Sequence, residues 1–134
     1  MSTFPVTLPD ATTAEQQLFD LMNQARALVH VYTDGSINIS TGAVEMGQGV
    51  NTKMLQVAAT VFSVDPAKVK VNTTSTFRIA NTSPSAASAT ADLNGKAVLI
   101  ACEKILDRIK FYAADRFNCE KDDVIISAEK VLVK

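Results

Sequence analysis

Two short segments of this 134-residue chain gather small and polar residues just before a stretch with helical spacing. The first is "EMGQG" at 45–49, and the second is "NTSPSAASAT" at 81–90. The first four backbone N–H groups of a helix have no partner within the helix, and the helix dipole adds about half a positive charge there. Each segment therefore predicts a helix N-terminus suited to an anion or a polar heterocycle.

The residue types within these segments fit such a ligand. The two glycines allow a ligand to approach the backbone without a Cβ in the way, and a glutamine offers both a donor and an acceptor. The glycines are Gly47 and Gly49, the glutamine is Gln48, and the hydroxyls are on Ser85, Ser88 and Thr90. However, glycine before a helix usually makes a turn and serine usually caps the helix. The residues alone leave both interpretations open.

Other reactive residue types give little sign of catalysis. His30 is the single histidine and lies in an apolar run, which favours a structural role. Cys102 and Cys119 do not have the spacing of a zinc site, and we expect each thiol to act as a small hydrophobic group. Glu45 is the acid beside the glycine turn. Catalysis would require it to be buried with a raised pKa, so we assign it a structural role.

Composition narrows the class of protein. Hydrophobic residues make up 47% and charged residues 20%, as in a single globular domain. The net charge is −1, which argues against nucleic acid or an anionic membrane as a partner. We find no apolar run of the roughly 20 residues that span a bilayer, and no signal-peptide pattern. We therefore expect a cytoplasmic protein with reduced thiols.

Hydrophobic spacing predicts the first half of the fold. A helix is expected over 14–25, and alternating residues predict strands near 27–33 and 36–41. Asp34-Gly35 between these strands favours a two-residue type I′ turn. A helix is expected over 50–63, ended by Asp65-Pro66, and "AKVKVNTT" predicts a third strand.

The second half is predicted to hold a long helix and a hairpin. Ser83 is the expected N-cap, with Pro84 at the first helical position. The expected apolar stripe of this helix is Leu93, Ala97, Ile100, Ala101, Ile105 and Ile109. Two short strands should flank Ala128-Glu129. The predicted fold class is α+β, ordered hairpin, helix, strand, helix, hairpin, with two helices packed on one face of a mixed sheet.

Four motifs in sequence order resemble a known family. They are "ALVHVYTDGS", "EMGQGVNTKMLQVA", "NTSPSAAS" and "ADLNGKAV". Together they resemble the molybdenum-binding subunit of the xanthine dehydrogenase and aldehyde oxidase family, the molybdenum hydroxylases, with the purine branch favoured. The resemblance divides the chain into a poorly matched segment, 1–22, and a molybdopterin cofactor-binding subdomain, 23–134.

The resemblance also implies roles for individual residues. It places Met46, Gly47 and Gln48 against the pyranopterin of a molybdenum–molybdopterin cofactor. It places Ser85, Ala87, Ser88 and Thr90 near the cofactor phosphate and the molybdenum. The backbone of Ala87 would lie nearest the metal without being a strong ligand. No catalytic residue is implied within this chain.

What the family does sets the expected function. Molybdenum hydroxylases oxidatively hydroxylate a purine, such as hypoxanthine or xanthine, or an aldehyde, and pass electrons through iron–sulfur clusters to FAD. The family's catalytic glutamate segment and its iron–sulfur cysteines have no counterpart here. We therefore expect a piece of the molybdenum domain that is inactive alone.

The expected partners of this chain are the rest of that domain and the iron–sulfur and FAD domains or subunits. The isolated chain should self-associate through surface that its partners normally cover. The alternative is a non-catalytic assembly or small-ligand-binding module that retains the fold.

Overall fold

A computed structural model describes residues 25–79, 82, 84–86 and 88–133. The helix predicted over 14–25, apart from its last residue, and the predicted N-cap Ser83 lie outside these residues. In the described part of the chain, neither helix combines the length and the hydropathy that crossing a bilayer requires.

The first sheet has three strands and is mixed. Strand β1 (Ala27–Val31) pairs antiparallel with β2 (Ile37–Thr41), and β2 pairs parallel with β3 (Val69–Val71). Alternate side chains of a strand point to opposite faces of the sheet. Val29, Ile39 and Val71 stand in register on the face that meets the core. These strands confirm the predicted hairpin and third strand.

The turn between β1 and β2 differs from the predicted two-residue type. Tyr32 and Ser36 still pair, because Tyr32 N donates to Ser36 O at 2.9 Å, so the loop has three residues. Gly35 N donates to Tyr32 O at 3.0 Å, and only Gly35 is left-handed, with φ 81°. This is the three-residue hairpin in which a left-handed glycine follows a tight turn. The Asp34 carboxylate favours it by accepting hydrogen bonds from the N–H and hydroxyl of Ser36.

Helix α1 (Val50–Phe62) confirms the prediction of a helix over 50–63. Its inner face carries five buried side chains: Val50, Met54, Ala58, Ala59 and Phe62. Ser63 ends the helix in a left-handed conformation, with φ 52°. Asp65 then caps a short 3-10 turn, Pro66–Lys68, by accepting a hydrogen bond from Ala67 N at 2.8 Å.

Helix α2 (Ala89–Phe117) begins later than predicted. Pro84 lies five residues before its first residue, so its predicted place at the first helical position was wrong. The reason is a contact made elsewhere in the chain. The Ser85 hydroxyl accepts a hydrogen bond from Val44 N at 3.3 Å, which holds the preceding segment against the end of β2. Helical hydrogen bonding starts only where Asp92 N donates to Ser88 O, at 3.1 Å.

The inner face of α2 also differs from the predicted stripe. Asn94, Val98 and Cys102 are the buried residues of its first half, while Ala101, Ile105 and Ile109 pack beside them. The predicted members Leu93 and Ala97 are only half-buried, and Ile100 is 40% exposed. Helix α2 packs against α1 and β1, and the side chains that face them are Asn94, Val98 and Cys102, which are spaced by four residues. Burial raises the pKa of the Cys102 thiol to about 11, as expected for an inert thiol in the core.

A second, two-stranded sheet follows α2. Strands β4 (Val124–Ser127) and β5 (Lys130–Val133) pair antiparallel, and the buried Val124 packs with Ala113 and Ala114 of α2. In the described part of the chain, two helices with sheets of three and two strands confirm the predicted α+β class. The hairpin turn, Ala128-Glu129, has φ of 46° and 64°, the left-handed pair that a type I′ turn needs. Without glycine such a backbone costs about 1–2 kcal/mol per residue.

Contacts made by Glu129 offset this cost. Its N–H donates to Ser63 O at 3.1 Å, and its carboxylate accepts from Asp65 N at 3.1 Å and from the Lys68 ammonium. Lys68 first, and the Asp65 amide second, hold the pKa of Glu129 below its usual value. The Glu129 clamp, as we call these contacts, fastens the second sheet to the end of α1.

The observed inner face of α2 can be tested by paired substitutions. We expect Val98→Ala to lower the free energy of unfolding by about 1–3 kcal/mol, because it removes methyl groups from a fully buried site. Ile100→Ala should cost less than about 1 kcal/mol, since that side chain is 40% exposed. Urea unfolding of both variants would measure the difference. Equal losses, or a larger loss at position 100, would contradict the observed packing.

Candidate functional site

The glycine turn before α1 is closed by an acid of the same segment. Glu45 Oε1 accepts hydrogen bonds from Gly47 N and Gly49 N, and Oε2 accepts one from Asn51 N, all at 2.9 Å. These amide donors, that of Asn51 foremost, hold the pKa of Glu45 below its usual value. The anion at the N-terminus of α1 is therefore Glu45, which supports its predicted structural role.

Glycine is required in this turn for its backbone conformation. Gly47 and Gly49 have φ of 98° and 77°, and an added Cβ at either would meet no atom within 4 Å. Gln48 closes the turn from its other side. Its Nε2 donates to Val44 O at 2.7 Å, and its Oε1 accepts from Met46 N. Both ends of the Gln48 carboxamide therefore have partners within the turn.

Hydrogen bonds draw the segment before α2 toward the end of β2. The hydroxyl of Thr82 donates to Gly42 O at 3.4 Å, and the hydroxyl of Ser85 bonds to the backbone of Val44. The approach at Gly42 is close, because a Cβ there would lie 2.3 Å from Thr82 Oγ1. These contacts bring the two polar segments together.

Buried polar groups without partners lie at the start of α2. Thr90 is 7% exposed, and its Oγ1 has no hydrogen-bond partner within the described part of the chain. Asn94, one turn later, is 3% exposed; its Nδ2 donates to Thr90 O at 3.0 Å, while its Oδ1 is likewise unpartnered there. A buried group left unpaired costs about 1–3 kcal/mol, and such groups often mark a binding position.

One cavity of about 230 Å³ lies between the two helix N-termini. Five predicted site residues line it: Met46, Gln48, Ser85, Ser88 and Thr90. Gly47 does not line this cavity and serves the turn instead, and Ala87 lies outside the described residues. The remaining lining residues are Val50, Lys53 and Ala91, which the sequence analysis did not select.

Of the three lining residues that were not predicted from sequence, Lys53 bears most on what the cavity could bind. It is the one charged residue among those that line the cavity, and its N–H donates to Gly49 O at 3.2 Å in the first turn of α1. Its position four residues after Gly49 was the available sequence signal, since that spacing places a side chain above the helix start. A lysine among the lining residues makes the surroundings of the cavity more positive.

Among the described residues, side chains do not form a metal site of their own. Across the described ranges, no three histidine, cysteine, aspartate or glutamate side chains gather closely enough to hold a metal ion. The residues that line the cavity carry hydroxyl, carboxamide and ammonium groups, a set that suits a polar or anionic organic group better than a bare cation.

Comparison with known proteins gives the family of this chain. The chain is 56% identical over 89 residues to xanthine dehydrogenase of Dictyostelium discoideum, covering 66% of this chain and 7% of that protein. It is 55% identical over 107 residues to xanthine dehydrogenase 1 of Arabidopsis thaliana, covering 80% and 8%. Less than a tenth of each relative's length is thus represented here.

A solved structure shares the fold. Quinoline 2-oxidoreductase from Pseudomonas putida 86 superimposes with a TM-score of 0.72 at 25% identity, over 81% of this chain and 14% of that one. The family of molybdopterin cofactor-binding domains matches residues 6–134. With a family match over nearly the whole length and relatives above 50% identity, this chain belongs to the molybdopterin cofactor-binding domains of the xanthine dehydrogenase family.

Proposed function

We propose that this chain supplies part of the pyranopterin site of a xanthine dehydrogenase-like molybdenum hydroxylase. The observation that carries the proposal is a cavity shared by two helix N-termini, beside which the buried hydroxyl of Thr90 has no partner among the described residues. Rotation of the Thr90 side chain toward the cavity that it lines would let its hydroxyl pair with a ligand oxygen.

The two ends of the cavity suit different parts of such a cofactor. Ser88 and Thr90, with the N-terminus of α2 and the Lys53 ammonium, favour the phosphate. Met46 and Gln48 form the opposite wall and favour the pterin ring. The amides of the glycine turn are already bonded to Glu45, so we assign the phosphate to α2. The Ala87 backbone would then lie near the molybdenum, as the family resemblance implies.

The size of the cavity indicates a shared site. Ligand pockets typically enclose roughly 300–1,000 Å³, whereas this cavity has about 230 Å³. The remaining walls would come from other parts of the molybdenum domain. The bound cofactor would supply the oxidative hydroxylation chemistry, and the residues of this chain would bind and orient it.

The names of the relatives support a proposal for the substrate and the partners. Two are named xanthine dehydrogenases, so we propose a purine such as hypoxanthine or xanthine as substrate, with an aldehyde as the alternative. The other domains of such an enzyme, including those that carry iron–sulfur clusters and FAD, would be the partners, in the cytoplasm.

A non-catalytic assembly module is the second candidate function. Large exposed apolar side chains on α2 and β5, Phe111, Tyr112, Phe117 and Leu132, favour docking in either case.

Thr90→Val separates ligand binding from stability. Valine keeps the shape but removes an unpaired buried hydroxyl, so the free energy of unfolding should stay equal or rise. The affinity for molybdopterin released from a carrier protein should fall about ten-fold, because a hydrogen bond to a charged group is lost. Titration of pterin fluorescence and urea unfolding would measure the two effects.

Thr60→Val, at an exposed position of α1, is the matched control and should leave affinity unchanged. Equal affinity of the Thr90→Val variant and the unchanged chain would remove Thr90 from the site, and no binding by the unchanged chain would argue for the assembly module.

The 134-residue chain should show no purine-dependent dye reduction, even after loading with molybdopterin. The reason is that the family's catalytic glutamate segment has no counterpart in this sequence. Xanthine-dependent reduction of a dye, followed by absorbance, is the measurement. Turnover by this chain without other subunits would overturn the assignment as a contributing piece.

Self-association of the isolated chain should depend on the aromatic surface of α2. Phe111 and Tyr112 are 69% and 70% exposed, and apolar surface exposed to water is unfavourable. Sedimentation velocity should show oligomers that Phe111→Ser weakens. Arg108→Ser, an exposed position on the same helix, should have no such effect. A clean monomer at high concentration would count against this surface as a docking face.

A further inference from the structure

The position of Glu45 suggests a role beyond closing a turn. Its carboxylate is the only acceptor recorded for the N–H groups of Gly47, Gly49 and Asn51 within the described part of the chain. Hydrogen bonds to an ionised acceptor are roughly twice as strong as those between neutral groups. Three of them on one side chain make it the main local constraint on this segment.

Alternatives to Glu45 are few at this helix start. The N-cap residue is Gly49, which has no side chain to accept a hydrogen bond, and the first turn, "VNTK", contains no acid. A negative charge at a helix N-terminus is stabilising. Glu45 therefore supplies both the cap and the compensating charge of α1 from four residues before the N-cap.

The constrained segment is a wall of the cavity, although Glu45 itself is not. Met46 and Gln48 line the cavity, and each alternates with a residue whose amide bonds to Glu45. Glycines have the widest backbone freedom of all residues, so releasing Gly47 and Gly49 would let Met46 and Gln48 change direction. Glu45 thus acts on the cavity through its neighbours.

We propose that Glu45 is a positioning residue, whose carboxylate holds the Glu45–Asn51 segment in the shape that presents Met46 and Gln48 to the cofactor. This inference rests on the proposed function, because it assumes that the cavity binds molybdopterin. Because Glu45 orders only this segment, we expect that neutralising its carboxylate weakens molybdopterin binding more than it destabilises the fold.

Glu45→Gln in the full 134-residue chain tests this directly, since glutamine keeps the size but replaces one acceptor oxygen with a donor. Amide proton NMR is a sensitive readout because the chain has only five glycines. The signals of Gly47 and Gly49 should shift upfield and exchange faster with solvent, while Gly35, Gly42 and Gly95 stay in place. Affinity for molybdopterin, titrated by pterin fluorescence, should fall about ten-fold.

Two further variants distinguish positioning from general destabilisation. Glu45→Asp keeps the charge on a shorter side chain and should restore part of the affinity. In a Gln48→Ala background, Glu45→Gln should cause little additional loss, because coupled residues are non-additive. Glu103→Gln, an exposed acid on α2, is the control for charge removal.

The outcomes separate the two hypotheses. If the unchanged chain binds molybdopterin and Glu45→Gln binds equally well, the positioning role is wrong while the proposed function stands. If Glu45→Gln binds more tightly, Glu45 competes with the ligand's anion, which also overturns the inference. If the unchanged chain does not bind, the proposed function fails and the inference fails with it.

Discussion

Unpaired backbone N–H groups at two helix starts are the constraint around which this domain is arranged. The protein meets the constraint in part at α1, where Glu45 accepts two of these donors, from Gly49 and Asn51. At α2 it leaves a buried hydroxyl of Thr90 unpartnered in the described structure. The two helices start beside one cavity, and among the described residues a carboxylate accepts backbone donors of the helix start only at α1. The two similar sequence patterns therefore have different roles: the one before α1 forms a structural turn, and the one before α2 is the proposed binding site for an anion.

Much of the fold follows from local sequence. Alternation at Val29, Ile37 and Ile39 predicted the hairpin, and the glycine turn and Pro66 bracketed α1. Where local preference failed, a distant partner decided the structure. Asp34-Gly35 favours a type I′ turn, yet that turn occurs at Ala128-Glu129, where the Glu129 side chain bonds to a residue 64 positions away. The start of α2 was misjudged for a similar reason, since Ser85 bonds to Val44, 41 positions away.

The candidate site shows the same division. Residue type and helix spacing were enough to select Gln48, Ser88 and Thr90, which all line the cavity. Sequence could not reveal that the amides of Gly47 and Gly49 already have an acceptor, because glutamate before a glycine turn has many other conformations. Lys53 was overlooked for a different reason: a lysine on a helix is usually solvated, and only the arrangement of α1 beside α2 makes it a neighbour of Thr90.

The Glu129 clamp has a consequence for the order in which the chain acquires its structure during synthesis. Its partners at the end of α1 leave the ribosome long before Glu129, because 61 residues separate Lys68 from Glu129. At 5–20 residues per second, that interval is roughly 3–12 s. Throughout it, the Ser63 carbonyl and the Lys68 ammonium must stay hydrated. The nascent chain thus passes through a stage in which the end of α1 lacks the contacts that Glu129 later makes.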